Sequence, residues 1–295
     1  MLPEPLSAGP FAAPRLRKIA FRHWYSAVDG SDVLSVLPAT IEELSFENMN
    51  GPNLSDLAIQ SQSTVSVRLG ALRSIEFKYT SHLMLGCQNP IECPNPQRFT
   101  FWISPKHPWN LPPWVPTSFS ELTLHVKMSG DLPLPDFGTA IRPSVVTIHL
   151  LGTSDSYFDF FYWIQRCVKC LPFPRSIETL RIYIINDLDL DYRLKAMVGV
   201  YPDLSDYEMF SRFLHRLRAC EGASLKAISL DIRPQTEHCL DDLRVSDARQ
   251  SAELAKLQKG FSPLLEANVL NVEYIMERPE YDTSVRLMRC SIHTM

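Results

Sequence analysis

The chain has 295 residues, 45% hydrophobic, 10% aromatic and 21% charged, a composition that supports a packed core and excludes an intrinsically disordered chain. Its formal charge of −4, and a longest basic run of only Arg15-Leu16-Arg17-Lys18, omit the electrostatic footprint of a nucleic-acid binder. Seven cysteines without framework spacing point to reduced thiols in a cytoplasmic or nuclear setting.

Residues 1–13 carry Pro3, Pro5 and Pro10 and no basic start, so they read as a disordered N-terminal segment rather than a secretory signal. From residue 14 to 275 one domain is expected, built from units with the spacing apolar-x-x-apolar-x-apolar. The first units are Leu16/Ile19/Phe21, Ile41/Leu44/Phe46 and Leu72/Ile75/Phe77, with a helical period over Asp32 to Leu37 between the first two. Residues 88–116 hold eight prolines, from Pro90 to Pro116, and read as a Pro-rich insertion. Phe119/Leu122/Leu124 and Val145/Ile148/Leu150 come next, then a helix over Asp155 to Leu171. Its stretch Tyr157 to Ile164 is the most apolar in the chain, but Asp159 interrupts it well short of a membrane span. Ile177/Leu180/Ile182 precedes a loop from Asp187 to Asp203. A helix over Leu204 to Cys220, capped by Asp203 or Ser205, leads to Leu225/Ile228/Leu230. A further helix over Asp247 to Leu257, capped by Ser246, leads to Val269/Val272/Tyr274, and residues 276–295 form a C-terminal tail.

At 45% apolar content, three specified positions agree by chance about one time in eleven, so the short pattern alone decides little. A ten-residue version decides more. Leu37 to Phe46, Val115 to Leu124 and Phe173 to Ile182 align without gaps as apolar, Pro, any, Ser/Thr, apolar, two polar, Leu, polar, apolar. Proline ends what precedes it, and the alternation that follows places two apolar side chains on one face of a short strand. Helix and strand in alternation predict an α/β domain with parallel strands on one face and helices on the other.

The residues between the anchors then face outward. They run Lys18, Ala20, Arg22; Glu43, Ser45, Glu47; Ser74, Glu76, Lys78; Glu121, Thr123, His125; Thr147, His149, Leu151; Thr179, Arg181, Tyr183; Ala227, Ser229, Asp231; and Asn271, Glu273, Ile275. Among them His149, Leu151, Arg181 and Tyr183 gather apolar, aromatic and cationic groups in neighbouring units, the composition of a protein-binding hot spot.

Motifs that could carry chemistry each have a plainer reading. Cys167 and Cys170 have thiolate-ligand spacing but fall inside a helical apolar pattern, with no second pair to complete a metal site. Cys87 and Cys93, with His82 and His107 nearby, could clasp a loop around zinc, at a wider spacing than is usual. Gly152-Thr153-Ser154-Asp155 has the strand-to-helix position of a phosphate loop but one glycine and no lysine, so Ser154 reads as a helix cap. Asp187, Asp189 and Asp191 lack the remaining positions of a calcium loop. His125 and His149 fit either exposed polar positions or a ligand pair. No catalytic, cofactor or metal site is assigned from these residues.

The three ten-residue segments resemble the leucine-rich-repeat region of fungal, mushroom-type F-box proteins, over roughly residues 14–275 and without the F-box itself. The resemblance implies an irregular leucine-rich-repeat-like solenoid and a substrate-recognition arm related to ubiquitin-ligase receptors. The expected function is therefore a protein-protein interaction module: a monomer by itself, not an enzyme, with a protein partner, no nucleic acid, no membrane and no cofactor. An enzyme with a cryptic Cys/His site in the inserted loops, or a degenerate relative without a retained partner, stays open at this point.

Overall fold

The computed structural model describes residues 16–22, 37–47, 67–79, 91–94, 96–103, 119–128, 134, 137, 141–152, 157–171, 174–186, 203–234, 247–266, 271–276 and 286–293. Within these, several positions, among them 185–186, 231–234, 271–276 and 286–293, are described by backbone alone. The residues 1–13, 32–36 and 187–202 lie outside the described residues.

Alternating apolar and polar positions make short strands, and these strands lie side by side in chain order. β1 (Lys18–Arg22), β2 (Glu43–Glu47), β4 (Ser74–Lys78), β6 (Arg98–Ile103), β7 (Glu121–Met128), β8 (Val145–Gly152), β9 (Thr179–Asn186) and β10 (Ala227–Pro234) form eight parallel strands of one sheet. β3 (Val67–Arg68) and β5 (Ile91–Glu92) form a separate two-stranded parallel pair in the connections that lead to β4 and β6. The expected α/β class with parallel strands is what the structure has.

One junction recurs along the sheet. The carbonyl just ahead of each strand accepts two backbone N–H groups from the start of the next strand: Arg17 from Glu42 and Glu43, Glu42 from Arg73 and Ser74, Arg73 from Gln97 and Arg98. The series continues through Gln97, Ser120, Ser144 and Glu178, at 2.7–3.1 Å throughout. The Ser/Thr of the ten-residue pattern has its own role in the junction. Thr40 Oγ1 donates to the Leu16 carbonyl at 3.0 Å, and Ser176 Oγ donates to the Pro143 carbonyl at 3.3 Å, each reaching back one unit. A hydroxyl there satisfies a carbonyl that the strand ladder leaves open.

The inward positions pack as rows across the sheet. Phe21, Phe46, Phe77 and Phe101 stack with ring centroids 5.6, 5.6 and 5.4 Å apart, and Leu124, Ile148, Ile182 and Leu230 extend the row. α1 (Tyr157–Cys170), α2 (Leu204–Ala219), α3 (Asp247–Gly260) and α4 (Ser262–Glu266) lie against that side; Phe160, Phe161, Ile164, Phe210 and Phe261 share one buried cluster with the strands. Phe161 stacks on Phe210 at 4.6 Å, joining α1 to α2. Asp203 occupies the N-cap position of α2, and its backbone N–H donates to Asp206 Oδ2 at 2.9 Å, the reach-back half of a capping box.

Three expectations are corrected. The Pro-rich region 88–116 is not wholly an insertion, because β6 occupies a place in the main sheet between β4 and β7. The tail 276–295 holds β12 (Arg286–His293), which pairs antiparallel with β10. The unit at Val272 and Tyr274 is β11 (Asn271–Met276); it pairs antiparallel with β12, so β12 separates it from β10.

Candidate functional site

The outward positions of the strands line up in rows because parallel strands in register set equivalent side chains beside each other. The row that begins with Arg22, Glu47 and Lys78 continues through Trp102, His125, His149 and Tyr183, with Asp231 at the next position on β10. Arg22 and Lys78 both pair with Glu47, at 3.1 and 2.9 Å. Lys78 Nζ lies 4.9 Å from the centre of the Trp102 ring.

From Trp102 onward the row is a ladder of four stacked rings. Centroid separations are 4.1 Å for Trp102–His125, 4.4 Å for His125–His149 and 4.5 Å for His149–Tyr183, with interplanar angles of 10°, 9° and 7°. The strand spacing of about 4.8 Å suits a face-to-face stack, in which each ring covers its neighbour and turns an edge outward. The edges turned outward carry the imidazole nitrogens, the Tyr183 hydroxyl and aromatic C–H groups.

The Trp102 end is held by several groups. Trp102 Nε1–H donates to Glu76 Oε1 at 2.8 Å, and Ser45 Oγ donates to Glu76 Oε2 at 2.9 Å. Tyr79, at φ 54° in the left-handed region, tilts its ring against Trp102 at 6.0 Å. Beside the ladder Thr100, Thr123 and Thr147 form a row of hydroxyls that leads to Arg181. The His125 imidazole is pushed down to about 4, first by burial, then by the neighbouring His149, and Lys78 adds to this while Glu76 opposes it. At neutral pH it is uncharged.

All four residues expected at the hot spot lie on this face. His149 and Tyr183 are direct partners in the ladder. Arg181 is exposed but stands beside Thr147, one row away, and Leu151 is exposed at 39% beyond His149. Trp102 and His125 complete the ladder and fall outside the expected four. Two things hid them. Trp102 sits in the region read as an insertion, where the first anchor of the unit is Pro96, a buried residue that a pattern of aliphatic anchors passes over. On β8 the true anchors are Val146 and Ile148, opposite Leu122 and Leu124, so the expected unit Val145/Ile148/Leu150 is displaced. That displacement put Leu151, rather than His149, in line with His125 and Tyr183.

Of the cysteine motifs, Cys93, Cys167 and Cys170 are among the described residues, each with a free thiol. Cys167 is fully buried on α1 and its thiol is raised by burial; Cys170 is exposed on the same helix. Burial pushes the Cys93 thiol up to about 11. His82, Cys87 and His107, Thr153 to Asp155, and Asp187, Asp189 and Asp191 lie outside the described residues. Gly152 is explained by packing, since a Cβ there would meet the Met128 carbonyl oxygen at 2.5 Å. Among the described residues no group of three or more His, Cys, Asp or Glu could hold a metal ion, and no helix is long and apolar enough to cross a membrane. Comparison with protein-family models, with curated proteins and with solved structures finds no match to this chain.

Proposed function

We propose that the chain is a protein-protein interaction module, an irregular leucine-rich-repeat-like solenoid whose open sheet face receives a protein partner. In this reading it is a substrate-recognition arm related to those of ubiquitin-ligase F-box receptors. The observation that carries the proposal is the ring ladder from Trp102 to Tyr183: a continuous aromatic strip on the face of the sheet opposite the buried rows and helices. Aromatic residues beside an arginine and an exposed leucine have the composition of an interface centre. The repeated junction and anchor spacings of 24 and 23 residues, from Leu72 to Pro96 to Phe119, support the repeat reading.

The test is affinity capture with the full chain, followed by titration of the captured partner against Arg181→Ala and Tyr183→Ala. Each substitution weakens binding by about 1–2 kcal/mol while the thermal unfolding midpoint stays near that of the parent. Unchanged affinity in both variants overturns the assignment of this face.

A further inference from the structure

The partner's chemistry follows from what the central face lacks. Over β7, β8 and β9 the described outward side chains include two cations, Lys127 and Arg181, and a single carboxylate, Glu121. Glu121 is neutralised by Arg98, whose Nε lies 2.7 Å from its Oε2. Lys127 and Arg181 are both exposed, and neither has an ion-pair partner among the described residues. The register places His149 midway between them, with Thr123, Thr147 and the neutral His125 alongside, so this stretch is rich in hydrogen-bond donors and, among the described side chains, has no unpaired anion.

Building on the proposed open-face reading, we infer that the partner presents an acidic extended segment. One carboxylate meets Arg181, another meets Lys127, the segment crosses His149 midway, and an apolar side chain at the Lys127 end lies on the neighbouring Leu151. Register sets the scale: Lys127 and Arg181 are two strands apart and offset by four residues, about 16 Å on the diagonal. An extended peptide covers that distance in about five residues. The planar guanidinium of Arg181 suits a carboxylate bidentately, whereas Lys127 acts as a point charge. The chain's net charge of −4 does not oppose this at contact. Charges more than about 8 Å away are screened at physiological salt, so the local cations dominate.

The probe is a display library of random twelve-residue peptides, selected on the full-length chain and re-measured as soluble peptides. The selected peptides should be net acidic, weaken roughly tenfold or more when their Asp and Glu become Asn and Gln, and lose affinity steeply with added salt. Arg181→Ala and Lys127→Ala should each weaken them by roughly 5- to 30-fold, with Arg181→Lys recovering part of the loss and Phe158→Ala on α1 having no effect. Selection of neutral or basic peptides that still depend on Tyr183 and Leu151 overturns the acidic partner and leaves the open-face reading intact. Peptides insensitive to every open-face substitution, or no selected peptide at all, overturn both. A requirement for phosphate on the peptide, with carboxylates ineffective, also overturns the inference.

Discussion

His125 is sandwiched between the rings of Trp102 and His149. Rings on both sides exclude water, and a proton on its imidazole would place a cation between Trp102 and His149, with Lys78 nearby. Its folded value of about 4 lies below the unfolded 6.5. Between those values the unfolded chain binds more protons than the folded one, so stability rises with pH across that window. The contribution is fully present above pH 6.5 and is lost as pH falls to about 4. After allowing for solvent at this half-buried position it amounts to about 1–2 kcal/mol. His125→Phe keeps a ring in the ladder and removes the titration. Urea unfolding of the parent and the variant from pH 7.5 to pH 4 should therefore show the parent losing more stability, with the two curves parallel above pH 6.5. Parallel curves throughout would contradict this account of the histidine.

At the scale of elements, β6 separates a structural role from the proposed binding role within one strand. Phe99 and Phe101 point into the core at 0% exposure, and Phe101 closes the stack that runs from Phe21. Phe101→Ala should cost about 3–5 kcal/mol in denaturant unfolding, the loss of a buried ring from a row that cannot collapse to fill the space. Trp102→Ala, on the opposite side of the same strand, should cost less and act on partner binding instead. A loss below about 1 kcal/mol for Phe101→Ala would return this segment to the status of an inserted loop.

The same strand shows what the sequence made legible. The Pro-x-Ser/Thr segments at Pro38, Pro116 and Pro174 predict three strands of one sheet, and β2, β7 and β9 each begin five residues after the proline. Helices at 155–171, 204–220 and 247–257 fall within a few residues of α1, α2 and α3, because their apolar stripes have a clear period. β6 was hidden by proline content, which signals loops by composition even where Pro96 serves as a buried anchor. On β8 two overlapping apolar triplets fit one run, and only hydrogen-bonded register chooses between them. A two-residue slip preserves which face a side chain takes, since the strand period is two. The four expected residues therefore take the outward side that alternation predicts, while the alignment that makes a ladder is not readable from the sequence.

For the whole molecule, the organising fact is one-sidedness. The apolar rows, α1, α2 and the rings of Phe161 and Phe210 fill one side of the sheet. The other side carries ion pairs at the β1, β2 and β4 end, then the rings of Trp102 to Tyr183, then Arg181 and Leu151. Arg98 pairs with Glu121 below the aromatic strip, while Lys127 and Arg181 beside it have no ion-pair partner among the described residues. Exposed aromatics also occur on α1, where Phe158 and Tyr162 stack at 5.6 Å and Arg166 covers Tyr162. They provide a built-in control on the helical side, more exposed than the half-buried ladder rings but without the ladder.

Photo-cross-linking in cells expressing the chain compares the two sides directly, with a photoreactive phenylalanine analogue placed at Leu151 on the open face or at Phe158 on α1. The account predicts a discrete protein adduct from position 151 that disappears when Arg181→Ala and Tyr183→Ala are added, and no matching adduct from position 158. An adduct from position 158 alone, or one from position 151 that survives both substitutions, would contradict the claim that the open face of the sheet is the binding surface.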